Sequence, residues 1–338
     1  MLTRDRVIAA GVAVLCGLGV AAPPVRAEVA STETSATVDT ADARFHDRPI
    51  ADAETAQRLA DEYWTPERMR AATPLDMPAG GEVMPGEEAD RPGRIGPPRT
   101  GAEPAGPRAA APSGGAQTQS VNASPGVGKV FFSSKVTGED FQCSAAAVNN
   151  PTANLVATAG HCVHPGDGSN NWYINWVYVP LYNDGPTPKP YGTWAARTFT
   201  SVEGWTKWNY LWWDFAFVTM YPRNGQKLVH QTGGNGISFN QSKTIPILLL
   251  GYPGLPPYDG QIQHYCQGTM QVAGAQRVKL PCPMSKGASG GPFLRQYDNT
   301  LRYGFVNSVI SYQFSGNLYG PYFEEDVADI YDSVKNVP

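Results

Sequence analysis

The sequence predicts a mostly β protein whose main folded part starts near residue 121 and is built as barrels or a sandwich. Three observations lead there. From about Val121 onward, short runs rich in Val, Ile, Phe, Tyr and Trp alternate with clusters of Gly, Pro, Asn and Asp, the pattern of strands separated by turns. Residues 28–128 differ: they carry nine basic against sixteen acidic side chains and contain no Lys, no Cys and a single Trp, Trp64. The first 27 residues differ again, with Arg4 and Arg6 ahead of an uncharged run from Val7 to Ala22.

Taken in order, residues 1–27 read as a secretory signal that ends at Val25-Arg26-Ala27. The apolar run is diluted by Gly11, Gly17 and Gly19, and it falls short of the roughly 20 residues that a bilayer-spanning helix needs. A secreted, soluble protein outside the cytoplasm is therefore expected. Residues 28–120 form an acidic pro-region. Within it, Asp52 to Ala72 carries a helical composition with a second start at Pro66. Pro78 to Gly128 is rich in Pro, Gly and Ala, a composition that buries too little apolar surface to offset chain entropy and reads as disordered linker.

Strands are expected at Lys129–Ser133, Asn154–Ala159, Trp176–Pro180, Thr193–Thr200, Phe215–Tyr221, Ile245–Tyr252, Gln261–Val272 and Arg302–Ser311. Glu324–Asn336 closes the chain as a helix, with Val327, Ile330, Tyr331 and Val334 along one face. Cys16 falls in the signal, which leaves Cys143, Cys162, Cys266 and Cys282 for an exported chain. Four cysteines allow three pairings, of which the local one, Cys143 with Cys162 and Cys266 with Cys282, is preferred. A metal site from His161, Cys162 and His164 matches no usual zinc spacing, and neither metal nor cofactor is expected. Residues 129–338 carry fourteen basic and thirteen acidic side chains, so nothing points to nucleic acid or lipid as a partner. A monomer is expected.

The chemistry centres on Gly287-Ala288-Ser289-Gly290-Gly291-Pro292. A serine hydroxyl is a weak nucleophile until a base takes its proton and nearby donors hold the charge that develops on the substrate. Glycines around it permit a tight turn and leave the amides of Gly287 and Ser289 free to face an oxyanion. The base is sought among His46, His161, His164, His230 and His264. His161 follows an apolar strand and a glycine and precedes a cysteine, a setting that fixes its ring; His164, His230 and His264 read as structural, and His46 belongs to the acidic leader, which maturation is expected to remove. Asp167, Asp184 and Asp259 sit in turn sequences, whereas Asp214 lies between Trp212-Trp213 and Phe215-Ala216-Phe217-Val218. A charge entering a core there needs a partner, and His161 is the candidate. The order His161, Asp214, Ser289 excludes the α/β-hydrolase arrangement, in which the histidine comes last.

Thr158–Cys162, Asp214-Phe215-Ala216 and Gly287–Pro292, in that order, resemble the three signature blocks of the chymotrypsin-like serine endopeptidases. The nearer likeness is to the secreted bacterial branch that includes the glutamyl endopeptidases. It is carried by Gly251-Tyr252-Pro253, Tyr265–Gly268, Cys282-Pro283-Met284 and, in the leader, Tyr63–Met69. The resemblance covers about residues 120–338. It implies an all-β fold of two six-stranded antiparallel barrels, 121–225 with His161 and Asp214 and 226–338 with Ser289 and the C-terminal helix. It implies as well a secreted endopeptidase acting on protein or peptide through a His161/Asp214/Ser289 triad, made as a precursor whose pro-region engages it before maturation.

The likeness has gaps at the specificity pocket. Ala288 replaces the acid that receives a freed amino terminus in the digestive enzymes. Pro283 stands where trypsin has its selecting acid, and Val306-Asn307-Ser308, aligned with the pocket wall, lack the glutamyl enzymes' histidine. Lys286 near the pocket mouth could attract an acidic side chain, although it reads more readily as a solvated lysine. Two other readings are a catalytically silent, peptidase-shaped binding protein and a carbohydrate-binding module, the latter suggested by seven tryptophans between Trp172 and Trp213, which as a cluster near strands read more readily as core.

Overall fold

The computed structural model describes residues 36–75, 93–108, 123–183, 185 and 187–338, all within one compact unit, Ser35–Pro338. The signal expected at 1–27 lies outside the described residues, as does Asp184. No described helix is long and apolar enough to cross a membrane.

The leader folds onto the rest of the chain. It contributes β1 (Val38–Asp42), β2 (Arg44–Phe45), β3 (Arg48–Pro49), α1 (Ala53–Tyr63), α2 (Pro66–Ala71), β4 (Thr73–Pro74) and β5 (Arg99–Ala102). The Asp52 carboxylate accepts the Thr55 amide at the start of α1, and the Thr65 hydroxyl accepts the Arg68 amide at the start of α2, each satisfying a donor that the first turn leaves open. Pro66 opens α2, so the helical stretch read from the sequence is two helices broken where the proline allows. Within the stretch expected as linker, residues 93–108 and 123–128 are ordered. They are ordered by borrowed partners: β5 pairs with a strand of the second half, while Arg94 and Arg99 bind four carboxylates of the C-terminal helix. Composition measures only what a segment can bury by itself.

The first barrel comprises β6 (Val127–Ser133), β7 (Asp140–Val148), β8 (Leu155–Thr158), β9 (Ile174–Pro180), β10 (Trp194–Val202) and β11 (Ala216–Met220). Their order is β6-β7-β8-β11-β10-β9, and β9 returns to β6, closing six antiparallel strands. The leader adds β1 antiparallel to β10 and β4 parallel to β7.

The second half holds β12 (Gly236–Phe239), β13 (Pro246–Gly251), β14 (His264–Thr269), β15 (Gln271–Val272), β16 (Arg277–Pro281), β17 (Pro292–Asp298), β18 (Tyr303–Val309), β19 (Tyr312–Phe314) and β20 (Asn317–Pro321). Its strands are shared between two sheets, β14-β13-β17-β18-β12-β5 and β15-β16-β20-β19. The C-terminal helix, Glu325–Val334, presses Val327, Ile330, Tyr331 and Val334 into a core shared with Phe217 of the first barrel and Phe239 of the second half.

Both expected disulfides are present, Cys143–Cys162 and Cys266–Cys282. Trp176, Trp194 and Trp205 are fully buried and Trp172 and Trp212 nearly so, as the core reading required; Trp208 alone among the eight is exposed.

Glu324, just ahead of the C-terminal helix, is buried. Gln276 Nε2 donates to its Oε1 at 2.6 Å, and burial pushes its carboxyl up to about 7. A raised folded-state pKa means that the folded chain binds the proton more tightly than the unfolded chain. Stability from this site is therefore complete below the ordinary glutamate range and is lost as pH rises from about 4.5 to about 7. Glu324→Gln, which imitates the protonated acid, is expected to match the native chain near pH 4 and to exceed it at pH 8 by roughly 3 kcal/mol at most. Chemical denaturation at the two pH values measures the difference; equal stabilities at pH 8 would contradict the assignment.

Candidate active site

Asp214 enters the site from the turn ahead of β11, where Leu211–Trp213 forms a short 3₁₀ helix and the chain then passes into the strand. Its carboxylate is wholly buried and receives three hydrogen bonds. The His161 amide donates to Oδ1 at 2.7 Å, the His161 ring meets Oδ2 through Nδ1 at 2.8 Å, and Ser311 Oγ donates to Oδ2 at 2.5 Å. A buried carboxylate with this many donors is the arrangement that lets it remain charged, and with Nδ1 supplying its proton to Asp214, Nε2 is left as the basic nitrogen.

His161 lies on the 3₁₀ turn Gly160–Cys162 that follows β8. The turn is held from both sides. Cys162 is tied to Cys143 of β7, and the Cys162 carbonyl accepts the Trp176 indole at 2.9 Å. Nε2 is buried and makes no hydrogen bond to any described residue. His164, by contrast, spends both ring nitrogens locally, on the Ser169 carbonyl and the Gly166 amide, and burial lowers its pKa. His230 and His264 lie away from this cluster, on a short helix at Leu228–Thr232 and at the start of β14; His46 donates its amide to Asn175.

Ser289 sits in the turn that leads into β17, where Gly287 and Gly290 both have left-handed backbone, φ +93° and +80°. The turn is stitched to the first barrel: the Ser144 amide donates to the Ser289 carbonyl at 2.7 Å and Ser144 Oγ donates to the Gly287 carbonyl at 2.9 Å. A side chain at Gly290 would collide with the Ser144 carbonyl and Thr158 Oγ1, so only glycine lets the two halves approach this closely. The Ser289 amide has no acceptor among the described residues. The Gly287 amide has one, the Leu75 carbonyl of the leader at 3.1 Å.

Of the pocket residues expected from sequence, Pro283 and Lys286 lie exposed on the loop before Ser289, and the Lys286 carbonyl accepts the Gly254 amide. Val306, Asn307 and Ser308 are buried inside β18. Asn307 accepts a bond from Ser238, and Ser308 donates to the Pro321 carbonyl. The residue that follows β18 and reaches the site is Ser311, three positions beyond the stretch that was aligned. A lone serine after a strand carries no sequence signal, and Leu75 had none either.

Lys129 is a further buried charge near the cleft. Its ammonium donates to the Gly260 carbonyl at 2.9 Å between the rings of Phe131 and Tyr182, and burial pushes its pKa down to about 7. It fixes the loop that carries Gly254, which in turn holds Lys286 beside Gly287. Among the described residues the one His/Cys cluster compact enough for a metal is Cys143, His161 and Cys162. Its two sulfurs are joined to each other and offer no thiolate.

No family model matches the chain. A thermostable serine protease, AL20, from an extremophilic microorganism is 32% identical; the match covers 64% of this chain and 99% of that one, with a TM-score of 0.58. The protease Anisep from Arthrobacter nicotinovorans is 31% identical over 63% of this chain and 97% of its own, with a TM-score of 0.58. A Glu endopeptidase shares the fold at 16% identity, covering 70% of this chain and 98% of its own, with a TM-score of 0.52. An extracellular metalloprotease of Bacillus subtilis (strain 168) is 27% identical over 166 residues, and the chain spans about half the length of that curated relative. The identity to the two solved bacterial proteases over nearly their whole length, on a fold with a closed six-stranded barrel, leads to one conclusion: the chain belongs to the bacterial chymotrypsin-like serine endopeptidases.

Proposed function

We propose that the chain is a secreted endopeptidase that hydrolyses protein or peptide substrates through Ser289, His161 and Asp214. The observation that carries this reading is the 2.8 Å contact between His161 Nδ1 and a wholly buried Asp214, with Gly290, the residue after Ser289, packed closely against Ala159, two residues before His161. Asp214 holds the imidazole in the tautomer whose Nε2 is a base. Ser289 Oγ attacks the scissile carbonyl carbon as its proton passes to Nε2. The tetrahedral oxyanion is held by the Gly287 and Ser289 amides, and the C–N bond breaks as His161 returns the proton to the leaving amine. A water molecule then releases the acyl group by the same steps in reverse order of roles. Secretion is supported by the extracellular relative and by the two disulfides, since such bonds persist in oxidising compartments.

Ser289→Ala is expected to abolish peptide hydrolysis and labelling by a serine-directed phosphonate, read by mass spectrometry of a peptide-library digest; retained turnover would remove the assignment. Asp214→Asn, which favours the wrong tautomer, is expected to lower kcat on the order of 10⁴-fold at neutral pH with little change in KM. Gly287→Ala places a Cβ 2.7 Å from the Tyr252 carbonyl at a φ of +93°. The oxyanion amide would turn away, and kcat should fall about 10²–10³-fold; unchanged kinetics would show that this amide does not serve the reaction. A silent binding protein of the same shape would show no inhibitor-sensitive cleavage in any of these assays.

A further inference from the structure

Lys129 is a charge set deep in the wall of the first barrel. It lies on β6 and is only 1% exposed. Among the described residues its one hydrogen-bond acceptor is the Gly260 carbonyl, at 2.9 Å, and the Asp259 carboxylate is the charge that favours it. An ammonium withdrawn from water is costly, and an apolar side chain of similar length would occupy the space between Phe131 and Tyr182 without that cost. What the lysine adds is its hold on Gly260. The Gly260 amide donates to the Pro253 carbonyl at 2.8 Å, which closes the loop 253–260 at its neck. A methyl group on Gly260 would lie 3.3 Å from Lys129 Nζ and 3.4 Å from the Gly254 Cα, so the ammonium sits against both legs of the loop. From that neck the Gly254 amide donates to the Lys286 carbonyl at 2.7 Å, and the Leu255 amide donates to Ser285 Oγ at 3.0 Å.

The Lys286 carbonyl and the Gly287 N–H belong to one peptide unit. Such a unit is planar, with its carbonyl and its N–H pointing in opposite directions, so a donor that fixes the one end aims the other. Gly287 stands at φ +93° and has no side chain to resist a turn of this plane. Ser144 Oγ, on the Gly287 carbonyl, pins the next peptide unit. The carbonyl end of this one is held by Gly254.

From this chain of contacts we infer that Lys129 is a positioning residue for the reaction: through Gly260 and Gly254 it holds the peptide unit between Lys286 and Gly287 in the orientation that presents the Gly287 amide to the oxyanion. The inference rests on the function proposed above and adds to it a residue outside the triad and the oxyanion donors. Lysine suits the task because its stem passes between two rings and its charge strengthens the bond to a neutral carbonyl. Without that anchor the neck of the loop loosens, the peptide plane turns, and the oxyanion has this donor for only part of the time.

The test uses the processed secreted protein, with active sites counted at the end point of phosphonate labelling. The probes are a peptide taken from its strongest cleavage site in the library digest, as the amide substrate and as the aldehyde. The aldehyde adds to Ser289 Oγ and places an oxygen where the oxyanion forms, so its inhibition constant follows the Gly287 amide. Lys129→Met is expected to lower kcat per active site about tenfold, with KM within about twofold of native, and to weaken the aldehyde by a similar factor. Complete loss of one such donor costs about 10²–10³-fold; about tenfold is the factor for an amide aligned roughly one-tenth of the time. Ser285→Ala, which removes the hydroxyl bonded to the Leu255 amide, should move both readings in the same direction. The double variant should fall no further than the more impaired single variant, because both act on one loop. A purely structural lysine would lower thermal stability and the yield of active sites but leave kcat per site and the aldehyde constant at native values. That result, or additive losses in the double variant, would overturn the inference while the catalytic assignment stood. If Lys129→Met is not secreted, Ser285→Ala decides by the same two readings: a fall in both upholds the route through the loop, and native values overturn it. A native protein with no turnover at all would remove the catalytic assignment, and this inference with it.

Discussion

A carboxylate with no access to water must be surrounded by donors, and Asp214 is the place where this chain meets that demand. Its three hydrogen bonds come from the His161 amide, the His161 ring and Ser311. The first two reach it from the turn after β8 and the third from the segment after β18, so one charge ties both halves of the molecule. Leaving such a charge unpaired costs several kcal/mol. The turn at His161, the approach of β18 and the position of β11 are thus constrained together, and the Cys143–Cys162 bond reinforces the same turn from the side of β7.

Ser144 plays the corresponding part for the serine. It binds the backbone of both Gly287 and Ser289 and accepts no apolar role, although it lies in the middle of a barrel strand. Its hydroxyl also accepts the Tyr252 amide at 2.8 Å, which brings the loop after β13 to the same point. The turn that carries Ser289 is therefore held in place by Ser144 of the first barrel as much as by its own glycines.

Much of this could be read from the sequence, and the parts that could not have identifiable reasons. His161, Asp214 and Ser289 stood out because each breaks a local rule: a histidine beside a cysteine at a strand end, an acid inside an aromatic run, a serine among glycines. The β-branched and aromatic strands β6, β9, β11 and β13 were visible for the usual propensity reasons. β7 was not, because Ala145, Ala146 and Ala147 carry no such signal; all three are buried, Ala145 and Ala147 in one core cluster and Ala146 in another, where bulk is supplied by neighbours. Ser311, Leu75 and the ordered parts of the leader were hidden for another reason. Their roles depend on partners tens to hundreds of residues away, which local composition does not encode.

The pairing of β1 with β10 has a consequence beyond the cleft. β11 pairs with one margin of β10; on the opposite margin β9 matches only Trp194 and Ala195, and β1 covers Thr198 to Val202. Withdrawing the leader would bare a run of backbone donors and acceptors along that margin, together with the apolar floor formed by Phe131, Val177 and Val179. Bare strand margins recruit strands from other molecules. The leader therefore covers a strand margin and an apolar floor that would otherwise meet solvent and other chains.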